Sequence, residues 1–530
     1  MAGHLWLRHE VAGQLHRSME FKDTPYYKVG RASDLRGLDR FIYRLLEIFV
    51  PLLSWGTLIG AIVLSYVLPV WAALLVIALD LYWLFKTSYL SIHLRQNWKR
   101  MRNHLATPWE EKLKGLPYED LYQMVILPFY KESDEVIEKS IEGLLLSKWD
   151  KRKMIVVLAA EKRAGDKSLL QGEYFREKYE SRFFDFILTV HPDNISGEMP
   201  GKGSNISFAA EEARREILDK KGIAYRNVLV SAFDIDTIPY GSYFLCLAWY
   251  FLTVPKPLRS SFQPVPVYNN NIWDAPAFSR VVAVSSTFWQ MVQQERPEKL
   301  ATFSSHALNF QTLYEIGYWQ KNIVSEDSRI FWNALLAFNG DYRVVPISYP
   351  VSMDANLAPT FFETMKNVYR QQRRWTWGVE NVPYILFGFL KNRRIPFLKK
   401  ISFALVQIEG FWSLATNPIL IFVLGWLPLL VGGGAFKSTL LFYNLPLITR
   451  DIMLLAMIGL IISAIISWQL LPPKPTPYTW LDRLFMTIQW ILVPFTLVFF
   501  GSIPGLDAQT RLIVKKYLGF WVTPKYQKKS

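Results

Sequence analysis

The chain has 530 residues, enough by length for more than one domain, and its 60 Lys and Arg against 45 Asp and Glu give a formal net charge of +15. With 51% hydrophobic and 20% charged residues, apolar and polar stretches must be segregated along it. The single cysteine, Cys246, excludes an intramolecular disulfide and suits a reducing compartment, and no nucleic-acid-binding motif accompanies the positive charge, which reads instead as contact with anionic lipid and phosphate.

Residues 1–40 are a polar lead-in to which the sequence assigns no chemistry, and its length before the first apolar run argues against a cleaved signal peptide. No charged residue lies between Glu47 and Asp80, and Pro69 divides this run into segments 46–67 and 70–90. Each is close to the ~20 residues that a membrane-crossing helix needs, so 41–92 is predicted as a transmembrane hairpin with a very short outer turn. Arg31, Arg36, Arg40 and Arg44 precede it and Arg95, Lys99, Arg100 and Arg102 follow it, which puts both of its ends, and the region after it, in the cytoplasm. Asp80, inside the second helix, is a functional candidate or the partner of a neighbouring helix.

From 93 to 360 the pattern changes. Strands are predicted at Gln123–Pro128, Lys153–Glu161, Phe184–Val190 and Val228–Phe233, with helices at Asp134–Leu146 and Asn205–Leu218 between them. This alternation argues for βαβ units and a doubly wound, mostly parallel sheet, in which ligands bind beyond the carboxyl ends of the strands. Glu132, Glu161, Asp234 and Asp236 fall at such ends. Asp234 and Asp236, at i and i+2 on a strand, point to one side. Two carboxylates so placed suit Mg²⁺ or Mn²⁺, whose remaining positions water and phosphate fill; an acidic turn before Pro239 is the alternative. Met199–Asn205, with Gly201, Lys202 and Gly203, is a glycine-rich turn opening a helix, a plausible phosphate-binding surface without P-loop spacing.

Ser260–Asn271 reads as another extended segment. His306 sits in the polar loop Ser304–His306, where a hydrogen-bonded structural histidine is the commoner role. Ser325-Glu326-Asp327 opens a helix with Ser325 as N-cap and acids in the first turn, which leaves room for a functional Asp327. Residues 361–400 form interfacial helices beginning with a long helical stretch, Phe361–Leu390. On it Gln371, Arg374 and Trp375 share a face that can hold a pyrophosphate and stack on a sugar, or meet lipid headgroups. The region 401–505 is transmembrane or interfacial: 401–432 exceeds one span, 451–471 is a clean span, and 484–501 is broken by Gln489, Pro494 and Gly501. The tail, 506–530, is basic, with Lys515, Lys516, Lys525, Lys528 and Lys529. An inside tail requires an even number of crossings: four if 484–501 stays in the interface, the favoured count, or six if 401–432 is a hairpin.

Four stretches in order, Asp234-Ile-Asp236, Ser325-Glu326-Asp327, Gln371-Gln-Arg-Arg-Trp375 and Phe520-Trp-Val-Thr-Pro-Lys525, resemble the motifs of membrane-embedded family 2 glycosyltransferases, the group of cellulose and hyaluronan synthases. The likeness runs from about residue 40 onward. It implies a GT-A-like cytoplasmic domain inserted between the helices of a polytopic cell-membrane protein. It further implies an inverting, metal-dependent transfer from a UDP- or GDP-sugar to a growing polysaccharide, or, as the alternative, of one sugar to a lipid acceptor. In that reading Asp234 and Asp236 hold Mg²⁺ or Mn²⁺ and Asp327 is the base. Glu132, Glu161, Lys202, Arg374, Thr523 and Lys525 contact the donor, and Glu326, Gln371, Trp375 and His306 the acceptor side. Outside enzymes, a transporter or scaffold with a degenerate nucleotide fold is the competing class. Sugar, linkage and oligomeric state are open.

Overall fold

The computed structural model describes residues 24–473 and 479–526; residues 1–23 and the tail lysines Lys528 and Lys529 lie outside them. Helices α1 (Gly37–Val67) and α2 (Pro69–Ala106) are separated by Leu68 alone. Pro69 opens α2, where its missing N–H breaks no helical hydrogen bond. There follow β1 (Tyr122–Phe129), α3 (Asp134–Leu146), β2 (Met154–Glu161), α4 (Asp166–Tyr179), β3 (Asp185–His191), α5 (Lys202–Ala213), β4 (Val228–Ala232), β5 (Ile238–Pro239), α6 (Tyr243–Thr253), β6 (Ser260–Tyr268), α7 (Ala277–Gln294), β7 (Ala307–Asn309), α8 (Glu326–Ala337) and β8 (Arg343–Met353).

The eight strands form one mixed sheet in the order β3-β2-β1-β4-β7-β6-β8-β5. Parallel pairing joins β1 to β2 and β4, β2 to β3, and β6 to β8, whereas β7 and β5 pair antiparallel with their neighbours. The expected parallel βαβ half is therefore present, and the other half is mixed. Along β1 and β2 alternate residues face opposite cores. Met124, Ile126, Ile155 and Val157 meet α5 and α8, while Val125, Leu127, Val156 and Leu158 meet α3, α4 and α6. Strands covered on both faces read as near-continuous apolar runs, as β2 does up to Glu161 at its end.

Strand β8 was not evident in the sequence, because Pro346 and Pro350 lie within it and proline cannot donate to a ladder. The sheet accommodates them at an irregularity where Ile347, Ser348 and Tyr349 stand against Pro264 alone, with Ser348 at φ 44°. The end of α2 docks there: Asn97 Nδ2 donates to Ser348 Oγ (3.1 Å), and His104 Nδ1 lies 2.8 Å from the Ile347 carbonyl.

The chain continues as α9 (Phe361–Thr376), a 3₁₀ turn at Trp377–Glu380, α10 (Asn381–Lys391), α11 (Phe397–Phe422), α12 (Leu440–Gln469), α13 (Trp480–Ile488) and α14 (Ile503–Ile513). The single helix expected over 361–390 is thus interrupted at Trp377. Helix α12 begins eleven residues before the expected span and runs through Arg450 and Asp451, which pair with each other (2.9 Å). The return after α11 is made by α12, and 401–432 does not form a hairpin of its own.

Among the described residues five helical runs are long and apolar enough to cross a bilayer: α1, α2, α11, α12 and Trp480–Ile513. The first four each have one end on the sheet domain, through Tyr43 on Phe387, His104 on Ile347, Phe403 on Trp332 and Leu470 beside Asn269. The fifth lies along α7, where Trp490 stacks on Phe288, Phe500 stacks on Phe278, and Arg280 donates to Gln489 Oε1 (2.7 Å). The two ends of the described chain meet at buried Glu47, which accepts from the Ala32 amide (2.9 Å), Arg44 (2.7 Å) and the Tyr517 hydroxyl (3.0 Å).

Candidate active site

A cavity of about 280 Å³ opens at the carboxyl ends of β1, β2 and β4. Its walls include Glu132, Glu161, Lys202, Asp234, Asp236, Glu326, Asp327, Gln371, Arg374, Trp375, Thr523 and Lys525. Segments separated by as much as 397 positions, Pro128 to Lys525, thus converge on one space.

β4 ends at Ala232, so Asp234 and Asp236 stand on a turn closed by Thr237 N donating to Asp234 O (2.9 Å), rather than on a strand. Both still line the cavity, as does Ile235 between them, which also packs in the core. Asp234 accepts from Lys202 Nζ (2.5 Å) and Ser304 Oγ (2.8 Å). Burial would raise its pKa, but the Lys202 and Lys525 ammonium groups and these hydrogen bonds outweigh it and hold the carboxyl well below the usual range. Asp236 Oδ2 accepts from Lys525 Nζ (2.6 Å) and the Asp354 amide (2.9 Å), while buried Asp236 Oδ1 has no hydrogen-bond partner.

Lys202 opens α5 and also reaches both oxygens of Asp327 (3.0 and 2.9 Å). Asp327 lies in the first turn of α8 beside Glu326, whose carboxyl is pushed up to about 8 by burial and by the Asp327 charge. Ser325 precedes α8 as expected of an N-cap, but its hydroxyl caps nothing; it donates to Glu380 Oε1 (2.7 Å).

On α9, Gln371, Arg374 and Trp375 face the cavity while Arg373 turns away to Asp507 of α14 (2.8 Å). Trp375 stands between Tyr268 and Phe303, each ring centre 5.9 Å away. The C-terminal segment covers the opening: Phe520 lies against Gly201 and under the Arg374 guanidinium (5.1 Å), and Thr523 is buried with its hydroxyl unpartnered. Burial pulls the Lys525 ammonium pKa down, but Asp236, Asp354 and Asp234 outweigh it and the net shift is upward.

At the β1 and β2 ends Glu132 accepts the amides of Tyr130 (2.6 Å) and Lys131 (3.1 Å), and burial raises its pKa. Glu161 is held by Arg163 through two hydrogen bonds (2.6 and 3.0 Å), and that guanidinium stacks over Tyr130. Expecting His306 as an acceptor contact is corrected: it is fully buried behind Asp327, outside the cavity wall, with Nδ1 on the Phe303 carbonyl (2.9 Å) and Nε2 accepting from Trp319 Nε1 (3.1 Å). Sequence reasoning missed Ser304, Asp354, Arg163, Tyr268 and Phe303 as site residues, none of which carries a local signal for its contact, and recognised Phe520 only as part of the C-terminal motif.

The donor set fits a hard divalent cation, with two carboxylates at one turn and one oxygen of Asp236 unsatisfied. Among the described residues no group of three or more His, Cys, Asp or Glu could hold a metal ion, so such a cation would complete its shell from phosphate and water.

No protein-family model matches the chain, and no curated protein matches it. Solved structures similar to it include a mannosyltransferase, PcManGT from Pyrobaculum calidifontis, in complex with GDP-Man and Mn²⁺, at 14% identity and a TM-score of 0.42 over 73% of this chain and 99% of that one. S. aureus TarS 1–349 is similar in complex with UDP-GlcNAc, at 14% identity and a TM-score of 0.35 over 71% of this chain and 91% of that one. In complex with UDP it has 13% identity and a TM-score of 0.34 over 66% and 91%. Likeness of this degree transfers no residue role.

Proposed function

We propose that this chain transfers a sugar from a nucleoside-diphosphate sugar to a saccharide acceptor at a membrane surface, with inversion at the anomeric carbon. The observation that carries this reading is the convergence on one cavity of the Asp234–Asp236 pair, Lys202, Asp327 and the Lys525 segment.

A divalent cation held by Asp234 and Asp236 would neutralise the charge that builds on the departing diphosphate. Lys202 and Lys525 pair with carboxylates in the free site, and an incoming diphosphate competes for both ammonium groups. Once Lys202 is drawn toward phosphate, Asp327 is free to accept a proton. The acceptor hydroxyl then attacks the anomeric carbon: an O–C bond forms, the bond from carbon to the diphosphate oxygen breaks, and the hydroxyl proton passes to Asp327. Trp375, Tyr268 and Phe303 supply the apolar surface on which a sugar ring stacks, and Arg374 with the C-terminal segment excludes water from above. Glu132 and the Glu161–Arg163 pair, at the far end of the cavity, face the nucleoside.

The basic flanks of α1 and α2, and helices that leave the sheet domain and return, support four crossings with the cavity on the cytoplasmic side. Trp480–Ile513 then lies in the interface along α7. Processive extension of a polysaccharide is the favoured outcome. The presence of Gln407 and Phe411 of α11 in the cavity wall also gives a lipid-linked acceptor a route from the bilayer.

The test is nucleotide release by purified protein in nanodiscs over a panel of UDP- and GDP-sugars with Mg²⁺ or Mn²⁺, with product size read on the same samples. Asp327→Asn should lower release by about 10²–10⁴-fold while nucleotide binding persists. Full release by Asp327→Asn would overturn the assignment of the base.

A further inference from the structure

The 3₁₀ turn that interrupts α9 and α10 ends at Glu380, a buried carboxylate with four donors. Its Oε1 accepts from Val324 N (3.1 Å), Ser325 N (2.9 Å) and Ser325 Oγ (2.7 Å), and its Oε2 accepts from Trp377 Nε1 (2.8 Å). Every donor is neutral. Three of the four belong to the two residues immediately before α8, whose first turn carries Asp327. The next residue, Asn381, grips the same turn: its Nδ2 donates to Ser328 Oγ (2.9 Å) and its Oδ1 accepts from Arg329 Nε (2.5 Å).

We infer that Glu380 is a positioning residue for Asp327, an inference that rests on the transferase reading of the cavity. Glu380 is not in the cavity wall and touches no substrate space. It fixes where α8 begins. A carboxylate also lies favourably at a helix N-terminus, where the helix dipole is positive. Because Trp375 lies five residues upstream on the same run, the ring that meets the acceptor and the aspartate that takes its proton are referenced to one rigid junction. Small displacements matter here, since a misplacement of about 1 Å can cost about 10²-fold in rate.

Only a carboxylate satisfies all four donors. Glutamine offers one oxygen and an NH₂, so in Glu380→Gln the amide either faces Trp377 Nε1–H with its own N–H groups or abandons Ser325. Removing the indole donor should relieve that conflict. Glu380→Gln should therefore lower kcat about 10²-fold with the donor KM within about twofold, and Glu380→Gln with Trp377→Phe should recover at least about tenfold of kcat. Trp377→Phe alone and thermal unfolding midpoints are the controls. Wild-type kcat in Glu380→Gln, or a fall in kcat and a rise in KM that the second substitution does not reverse, would overturn the inference. A cryo-EM structure of Glu380→Gln decides it independently of turnover. Loss of the Asp327 contacts to Lys202 supports positioning, and their retention refutes it. A wild-type protein that releases no nucleotide from any donor refutes the transferase reading instead, and leaves the positioning of Asp327 to that structure.

Discussion

Asp327 offers two acceptor oxygens, and a single ammonium group, Lys202 Nζ, takes both. Behind it His306 is locked as a neutral ring, because Trp319 Nε1–H can only donate and therefore makes Nε2 an acceptor, leaving the proton on Nδ1 for the Phe303 carbonyl. Burial lowers the His306 pKa below its ordinary value. The sign follows: above the unfolded value, about 6.5, the ring is neutral in both states and the folded state keeps its full advantage. As pH falls through that value the unfolded chain takes up a proton that the folded ring refuses, and stability is lost until the folded pKa is passed. The stability difference between wild type and His306→Asn, from denaturation at pH 7 and pH 5, should shrink by up to about 1.4 kcal/mol per pH unit; a constant difference would refute the neutral assignment. The carboxylates of this site were legible because each lies in a short local pattern. Their partners were not: Ser304 is 70 positions from Asp234 and the Asp354 amide 118 from Asp236, and only the fold brings such groups together. The residue-level expectation of a hydrogen-bonded structural His306 agrees with its contacts, and it is the acceptor-side role attached to the resemblance that does not; its polar neighbours in sequence, Ser304 and Ser305, say nothing of the indole 13 positions on.

At the scale of elements, strands β1, β2 and β4 were readable because burial on both faces leaves mostly apolar residues, whereas β7, with three residues, and β5, with two, are too short to show a period. The break after α9 was hidden because Gly378 is the only helix-disfavouring residue of the 3₁₀ turn Trp377–Glu380 and a lone glycine does not by itself end a helix, and long-range bonds from Glu380 to Ser325 accompany it. One contact between elements also explains a glycine. Gly201 lies at φ 151°, a conformation side chains rarely adopt, and a Cβ there would come within 2.4 Å of the Phe520 ring. Gly201→Ala should therefore lift the C-terminal segment from the turn before α5, and with it Lys525 from Asp236. The expected result is a donor KM raised about tenfold, equivalent to about 1.4 kcal/mol, and faster tryptic cleavage at Lys515, Lys516 and Lys525. Unchanged cleavage and KM would mean that the segment closes without this contact.

Over the whole molecule, five helical runs among the described residues are long and apolar enough to cross a bilayer, and the fifth, Trp480–Ile513, also packs along α7. Composition could count apolar runs but could not show that one of them packs on α7, as the Arg280–Gln489 bond and the stacked aromatic pairs do. Cysteines at Leu68 and Ser438, at the far ends of the helices, should react with an impermeant maleimide on intact cells, and cysteines at Thr107 and Tyr526 only after permeabilisation. Native Cys246 is fully buried and should give no background. Labelling of Tyr526→Cys on intact cells would overturn the four-crossing arrangement. The Lys525–Asp236 contact has a further consequence in time. These residues are 289 positions apart, so at about 5–20 residues per second a ribosome needs roughly 15–60 s to deliver the lysine after the aspartate. Through that interval Asp236 is without the lysine that pairs with it in the finished fold.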